Sequence, residues 1–101
     1  MSVNALRKVG KNAFGIRVTD HSMAPKFVPD DIAIVDPDET DETENAIFAI
    51  YIGGVVILRR IRRIGSEIRI VADAGGEPDI ILKDSGSLVI VGKAIELYRE
   101  L

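Results

Sequence analysis

The chain has 101 residues, of which 47% are hydrophobic and 29% charged, the balance of one globular domain and not of a disordered chain. The longest apolar runs, such as Val55 to Leu58, are far too short to cross a bilayer, and Met1 to Gly10 holds no apolar stretch of the kind a secretory signal needs. The absence of cysteine excludes disulfides and thiolate chemistry, and the single histidine argues against a protein-built zinc site, so neither metal nor cofactor is expected.

The formal net charge of -3 argues against a surface devoted to nucleic acid. The charges are nonetheless segregated: Asp36, Asp38, Glu39, Asp41, Glu42 and Glu44 form an acidic stretch, and Arg59, Arg60, Arg62 and Arg63 a basic one. A solvated loop and a solvated strand edge account for both without any partner.

Residues 1–12 read as a polar lead-in or linker with a weak apolar pattern (Val3, Leu6, Val9), and residues 13–101 as the folded domain. Val, Ile and Leu then come in short runs broken by Gly, Pro, Asp and Asn, which is the punctuation of strands and turns. The expected strands are Ala13 to Thr19, Asp31 to Asp36, Ala46 to Ile52, Val55 to Ile64, Glu67 to Ala72, Ile80 to Lys83 and Leu88 to Tyr98. Gly53-Gly54 and Gly65-Ser66 supply tight hairpin turns, because glycine accepts the positive φ such turns demand. Alternation along the fourth strand puts Val55, Ile57, Arg59, Ile61 and Arg63 on one face. Arg59 therefore lies between two isoleucines, either snorkelling from a half-exposed face or buried with a partner.

The segment Val18-Thr19-Asp20-His21-Ser22-Met23-Ala24-Pro25, followed by Asp30-Asp31 and the apolar Ile32-Ala33-Ile34-Val35, carries the most specific signal. It resembles the serine–lysine peptidase domain of LexA, the UmuD-type mutagenesis proteins and the lambdoid phage repressors, whose pattern is Gly-x-Ser-Met-x-Pro and then Gly-Asp opening a strand. Asp20 and Asp30 stand at the two glycine positions, while Met23, Pro25 and Asp31 keep the motif. Two more stretches match in order: Gly54-Val55-Val56-Ile57-Leu58-Arg59-Arg60-Ile61 resembles the family's apolar run into Lys-Arg-Leu, and Ile90-Val91-Gly92-Lys93-Ala94 its closing Ile-x-Gly-Arg-Val strand. The resemblance spans roughly residues 13–98 and implies a mainly β fold, a small bent antiparallel sheet assembly of the β-clip-like LexA C-terminal type with at most one short helical turn.

By that resemblance Ser22 occupies the nucleophile position and Arg59 the general-base position. A desolvated lysine can serve as the base because its neutral amine accepts the serine proton. An arginine guanidinium stays protonated at any workable pH and can only donate hydrogen bonds, so Arg59 is expected to be inactive as a base. His21 adjoins Ser22, but neighbours on an extended chain point to opposite faces. Lys26 lies four residues on and misses Ser-x-x-Lys spacing, and nothing in the sequence selects Lys83 or Lys93. Ser22 also has a plain structural reading, a hydroxyl capping a turn.

Members of the family cut their own chain at a small-residue–Gly bond ahead of the serine. No such dipeptide precedes Ser22, and Ala74-Gly75 lies beyond it. The resemblance thus implies the C-terminal oligomerisation and regulatory domain of a prophage-type or LexA-like repressor without self-cleavage, cytoplasmic and metal-free. It is expected to be a homodimer through Leu88 to Leu101 that reaches DNA only by a helix-turn-helix outside this chain. The alternatives are an active serine autopeptidase using a non-standard base, and a stand-alone UmuD-like interaction protein.

Overall fold

The runs of β-branched residues become seven strands in a computed structural model that describes residues 11–100. They are β1 (Phe14–Arg17), β2 (Ile32–Asp36), β3 (Phe48–Ile52), β4 (Val55–Ile64), β5 (Glu67–Val71), β6 (Ile80–Leu82) and β7 (Val89–Tyr98), with one short 3-10 turn at Ser85–Ser87. Every pairing is antiparallel, in the order β1-β2-β7-β3-β4-β5-β6. The mainly β architecture expected from the sequence is the observed one. The lead-in at residues 1–12 lies outside the described residues except for Lys11 and Asn12, and so does Leu101.

Strand β4 organises the assembly. Its first half, Val55 to Arg59, pairs with β3, and its second half, Arg60 to Ile64, pairs with β5. A single ten-residue strand thereby bends one sheet into two parts, with Arg59 at the changeover. The hairpin glycines adopt the left-handed values their turns require, with φ of 59° at Gly53 and 85° at Gly54.

Both faces of the sheet centre are covered. Phe48, Ala49 and Ile50 of β3 are all fully buried, so period-two alternation sends Phe48 and Ile50 to one side and Ala49 to the other. On the first side they join Ile61, Ile68 and Ile70; on the second, Ala49 joins Met23, Phe27, Ala33, Val35 and Leu58. Burying such side chains contributes roughly 1.5–3 kcal/mol each before entropy is counted. The second cluster matters for the site, because it includes the methionine that follows Ser22.

Strand β7 runs between β2 and β3, pairing with β3 through Val89 to Lys93 and with β2 through Lys93 to Tyr98. Its ladders slip register opposite Ile34/Val35 and Ala49/Ile50, and Gly92 lies between these slips. A Cβ at Gly92 would stand 2.8 Å from Val35 Cγ1 and from the Asp36 carbonyl carbon, so close strand packing demands glycine there.

Candidate active site

The Ser22 turn is built by its neighbours. The segment leaves β1 through Val18, whose backbone amide donates to the Asp31 carbonyl at 2.8 Å. Ala24 N–H donates to His21 O and Phe27 N–H to Met23 O, winding residues 21–27 into consecutive turns. The Ala24–Pro25 peptide is cis. Met23 is 2% exposed and plugs the second apolar cluster, while its sulfur accepts a hydrogen bond from Asp73 N–H at 3.4 Å. Ala74 N–H donates to the Ser22 carbonyl at 2.9 Å. The loop after β5 therefore clamps the backbone of Ser22 and Met23.

Arg60 holds that clamp. Its guanidinium grips the Asp73 carboxylate in a bidentate pair at 2.7 and 3.0 Å and also donates to the Asn45 carbonyl. The basic run of β4 thus departs from the solvated edge expected of it. Arg60 is half-buried and paired, and Arg63 reaches across to Glu42 at 2.7 and 2.6 Å. The Glu42 carboxyl is held below the usual range, first by the hydrogen bonds from Arg63. Opposite charges that are segregated in sequence thus meet in space. Both pairings were missed by reading the sequence, although the hairpin register gave a signal for one: Arg60 faces Val71, two residues before Asp73.

Ser22 and Arg59, 37 residues apart, come together. Arg59 Nη1 donates to Ser22 Oγ at 2.7 Å and to the carbonyl of Leu58 at 2.8 Å. The Ser22 hydroxyl, 4% exposed, donates its own proton to Asp20 Oδ1 at 2.7 Å, and Ser22 N–H reaches the same oxygen at 3.0 Å. These bonds form an Asx turn over Asp20 to Ser22. They also hold the Asp20 carboxyl below its ordinary range: the Ser22 side chain is the main cause, the Ser22 backbone amide next, and the Arg59 charge adds a smaller pull. Among the described residues Arg59 makes no direct ion pair; it meets Asp20 through the serine hydroxyl. By charge alone the sequence makes Asp20, or a residue of the acidic loop, a candidate carboxylate partner for Arg59; that Asp20 meets it through the serine hydroxyl was missed.

A cleft of about 270 Å³ opens beside the hydroxyl, between the segment leaving β1 and the first half of β4. Ile16, Val18, Met23, Val56 and Leu58 give it an apolar lining, Asp20, Ser22 and Arg59 form one polar corner, and Arg17 and Thr19 also border it. No lysine or histidine is among its lining residues. His21 is exposed and lies outside the cleft. Lys26 and Lys93 border a separate hollow with Arg60, and Lys83 is exposed after β6. Ala74-Gly75 adjoins the backbone of Ser22 and does not line the cleft.

Asp31 and Asp30 do different work. Asp31 stands just before β2, 2% exposed, accepting from Val28 N–H at 2.8 Å and from Arg99 in a bidentate pair at 2.7 Å. Those bonds, Arg99 foremost, lower its pKa from 3.8 to about 2. Asp31 thereby ties the loop after the Ser22 turn to the end of β7. Asp30 adopts a φ of 77°, the left-handed region that explains why a glycine suits this position and that aspartate tolerates better than most residues. In chemical terms the site is a hydroxyl between a permanent cation and a carboxylate. It can accept from the one and donate to the other, but it faces no neutral amine.

A family model described as "Peptidase S24-like" matches residues 2–95. Among curated proteins, LexA repressor 1 of Geobacter sulfurreducens is 32% identical over 90 residues, which cover 87% of this chain and 44% of that relative. The chain thus spans less than half the length of the repressor it matches. On the span of the family match, which covers nearly the whole chain, the chain belongs to the Peptidase S24-like family.

Proposed function

We propose that this domain is the C-terminal oligomerising and regulatory domain of a LexA-like or prophage-type transcriptional repressor, acting in the cytoplasm and without self-cleavage. The observation that carries the second half of this reading is the bonding of Ser22. One lone pair of its hydroxyl accepts from Arg59 Nη1 and its proton goes to Asp20 Oδ1, both at 2.7 Å. The hydroxyl at the nucleophile position is restrained from both sides, and the base position holds a group with no lone pair to offer. Kinship with a LexA repressor supports the first half.

In such a repressor the domain joins two chains so that two weak DNA-binding heads act as one tight binder. In β7 the first half, Val89 to Lys93, pairs with β3 and the second half, Lys93 to Tyr98, pairs with β2, so the interface proposed for residues 88–101 engages a strand whose halves are each paired along one edge. Sedimentation equilibrium at micromolar concentration tests the oligomeric role. The expected mass is twice the 11.0 kDa of one chain; an 11.0 kDa species throughout the range counts against it.

One observation favours the active-peptidase reading: the Ser22 proton does have an acceptor, Asp20. A carboxylate held below its ordinary range is a weak base for a serine hydroxyl, since proton transfer is most effective when the base titrates near the working pH. The bond is a restraint on the hydroxyl more than an activation of it.

A further inference from the structure

The arginine alone is an incomplete account of a silent serine, because it leaves the hydroxyl proton unassigned. That proton points at Asp20 Oδ1, and the same oxygen takes the Ser22 amide, so one carboxylate fixes both the rotamer and the proton of the residue. Arg59 completes the arrangement from the other side, with its second bond on the Leu58 carbonyl. Arg59, Ser22 and Asp20 form a linear relay of cation, hydroxyl and anion in a cleft that Thr19 and Arg17, the latter paired with Asp30, also line.

We infer that Asp20 is a second lock on Ser22, paired with Arg59, and that restoring a lysine at position 59 alone leaves the serine unreactive. This inference rests on the non-cleaving reading above. Two physical reasons carry it. A base must receive the Ser22 proton, and Asp20 already holds it in the bond described. An ammonium introduced at position 59 would also stand one hydroxyl away from the Asp20 carboxylate. An opposite charge at that range favours the protonated amine, which has no lone pair to offer. Removing the carboxylate frees the proton and withdraws the charge together. Asp20 is thus a positioning residue that acts through Ser22.

The test is labelling of Ser22 by a fluorophosphonate probe, followed by intact mass, in the wild-type chain, Arg59→Lys, Asp20→Gly, and the two combined. In the labelling step Ser22 Oγ bonds to phosphorus, the phosphorus–fluorine bond breaks, fluoride leaves, and the serine proton passes to the introduced amine. The expected result is labelling of the combined variant about 100-fold or more faster than either single variant, the lower end of what a positioned base contributes. Its rate should rise with pH along a single titration centred below the ordinary lysine value of about 10.4. A merely structural role for Asp20 predicts the same rate and the same profile in Arg59→Lys alone. Thermal melts accompany each variant, and Asp20→Ala with Arg59→Lys replaces the glycine version if that one does not fold.

Labelling of Arg59→Lys alone at the combined variant's rate overturns the lock and leaves the non-cleaving reading intact. So does a folded combined variant that stays unlabelled. Labelling of the wild-type chain overturns the non-cleaving reading itself, with Asp20 then serving as the base.

Discussion

Replacing Ser22 by alanine distinguishes a structural hydroxyl from a nucleophile by the sign of the effect on stability. Ser22 is 4% exposed and makes two side-chain hydrogen bonds, each to a charged group. Such bonds contribute about 1.5–3 kcal/mol each when fully desolvated. Asp20 is exposed and Arg59 half-buried, so the lower part of that range or less applies to each. Neither ion is stranded by the substitution. Asp20 keeps the backbone amide at 3.0 Å, and Arg59 keeps the Leu58 carbonyl at 2.8 Å. The expected loss is therefore about 2 kcal/mol, or about 8–16 °C in Tm for a domain of this size. Removing a nucleophile held ready for chemistry usually leaves stability unchanged or raises it. Thermal melts of wild type, Ser22→Ala, Arg59→Ala and the double variant give both the loss and the coupling, expected at about 1 kcal/mol. A Ser22→Ala protein that melts at or above wild type refutes the reasoning.

Gly92→Ala should cost about 1–3 kcal/mol by urea denaturation, because the new methyl meets the backbone of Asp36 and the side chain of Val35 across a slipped ladder; a loss under about 0.5 kcal/mol would show that the β2–β7 crossing gives way easily. The Asp31–Arg99 pair predicts an acid limb. The folded pKa of Asp31 is lowered from 3.8 to about 2, so its contribution is complete above pH 3.8 and disappears as pH falls from there through about 2. The urea midpoint should fall across that window, and Arg99→Gln should flatten the fall; an unchanged acid limb in Arg99→Gln would contradict the pairing.

The strands were legible because each is a short β-branched run closed by Gly, Asp or Pro, and β4 is found over the whole stretch from Val55 to Ile64 that alternation marks. The ends are shorter than expected where the chain leaves the ladder. Ala13 and Val18 fall outside β1, and Val18 spends its amide on the Asp31 carbonyl. The meeting of Ser22 with Arg59 was legible only through resemblance, since they are 37 residues apart with strands β2 and β3 between them. Asp20 was visible as a departure from a glycine and, by charge alone, as one candidate partner of Arg59. Its meaning depends on which way one carboxylate oxygen points, and that is set by Met23 anchoring in the core and Ala74 clamping the turn. The Asp31–Arg99 pair joins residues 68 apart through the placement of β7 beside β2 and had no signal in the sequence.

These particulars share one claim, that Ser22 serves as a hydrogen-bonded strut between Arg59 and Asp20. The most direct measurement is exposure of the wild-type chain to a fluorophosphonate at alkaline pH, read by intact mass and by mapping of any adduct. The account predicts an unmodified chain of 11.0 kDa after prolonged exposure. An adduct mapped to Ser22 would contradict it.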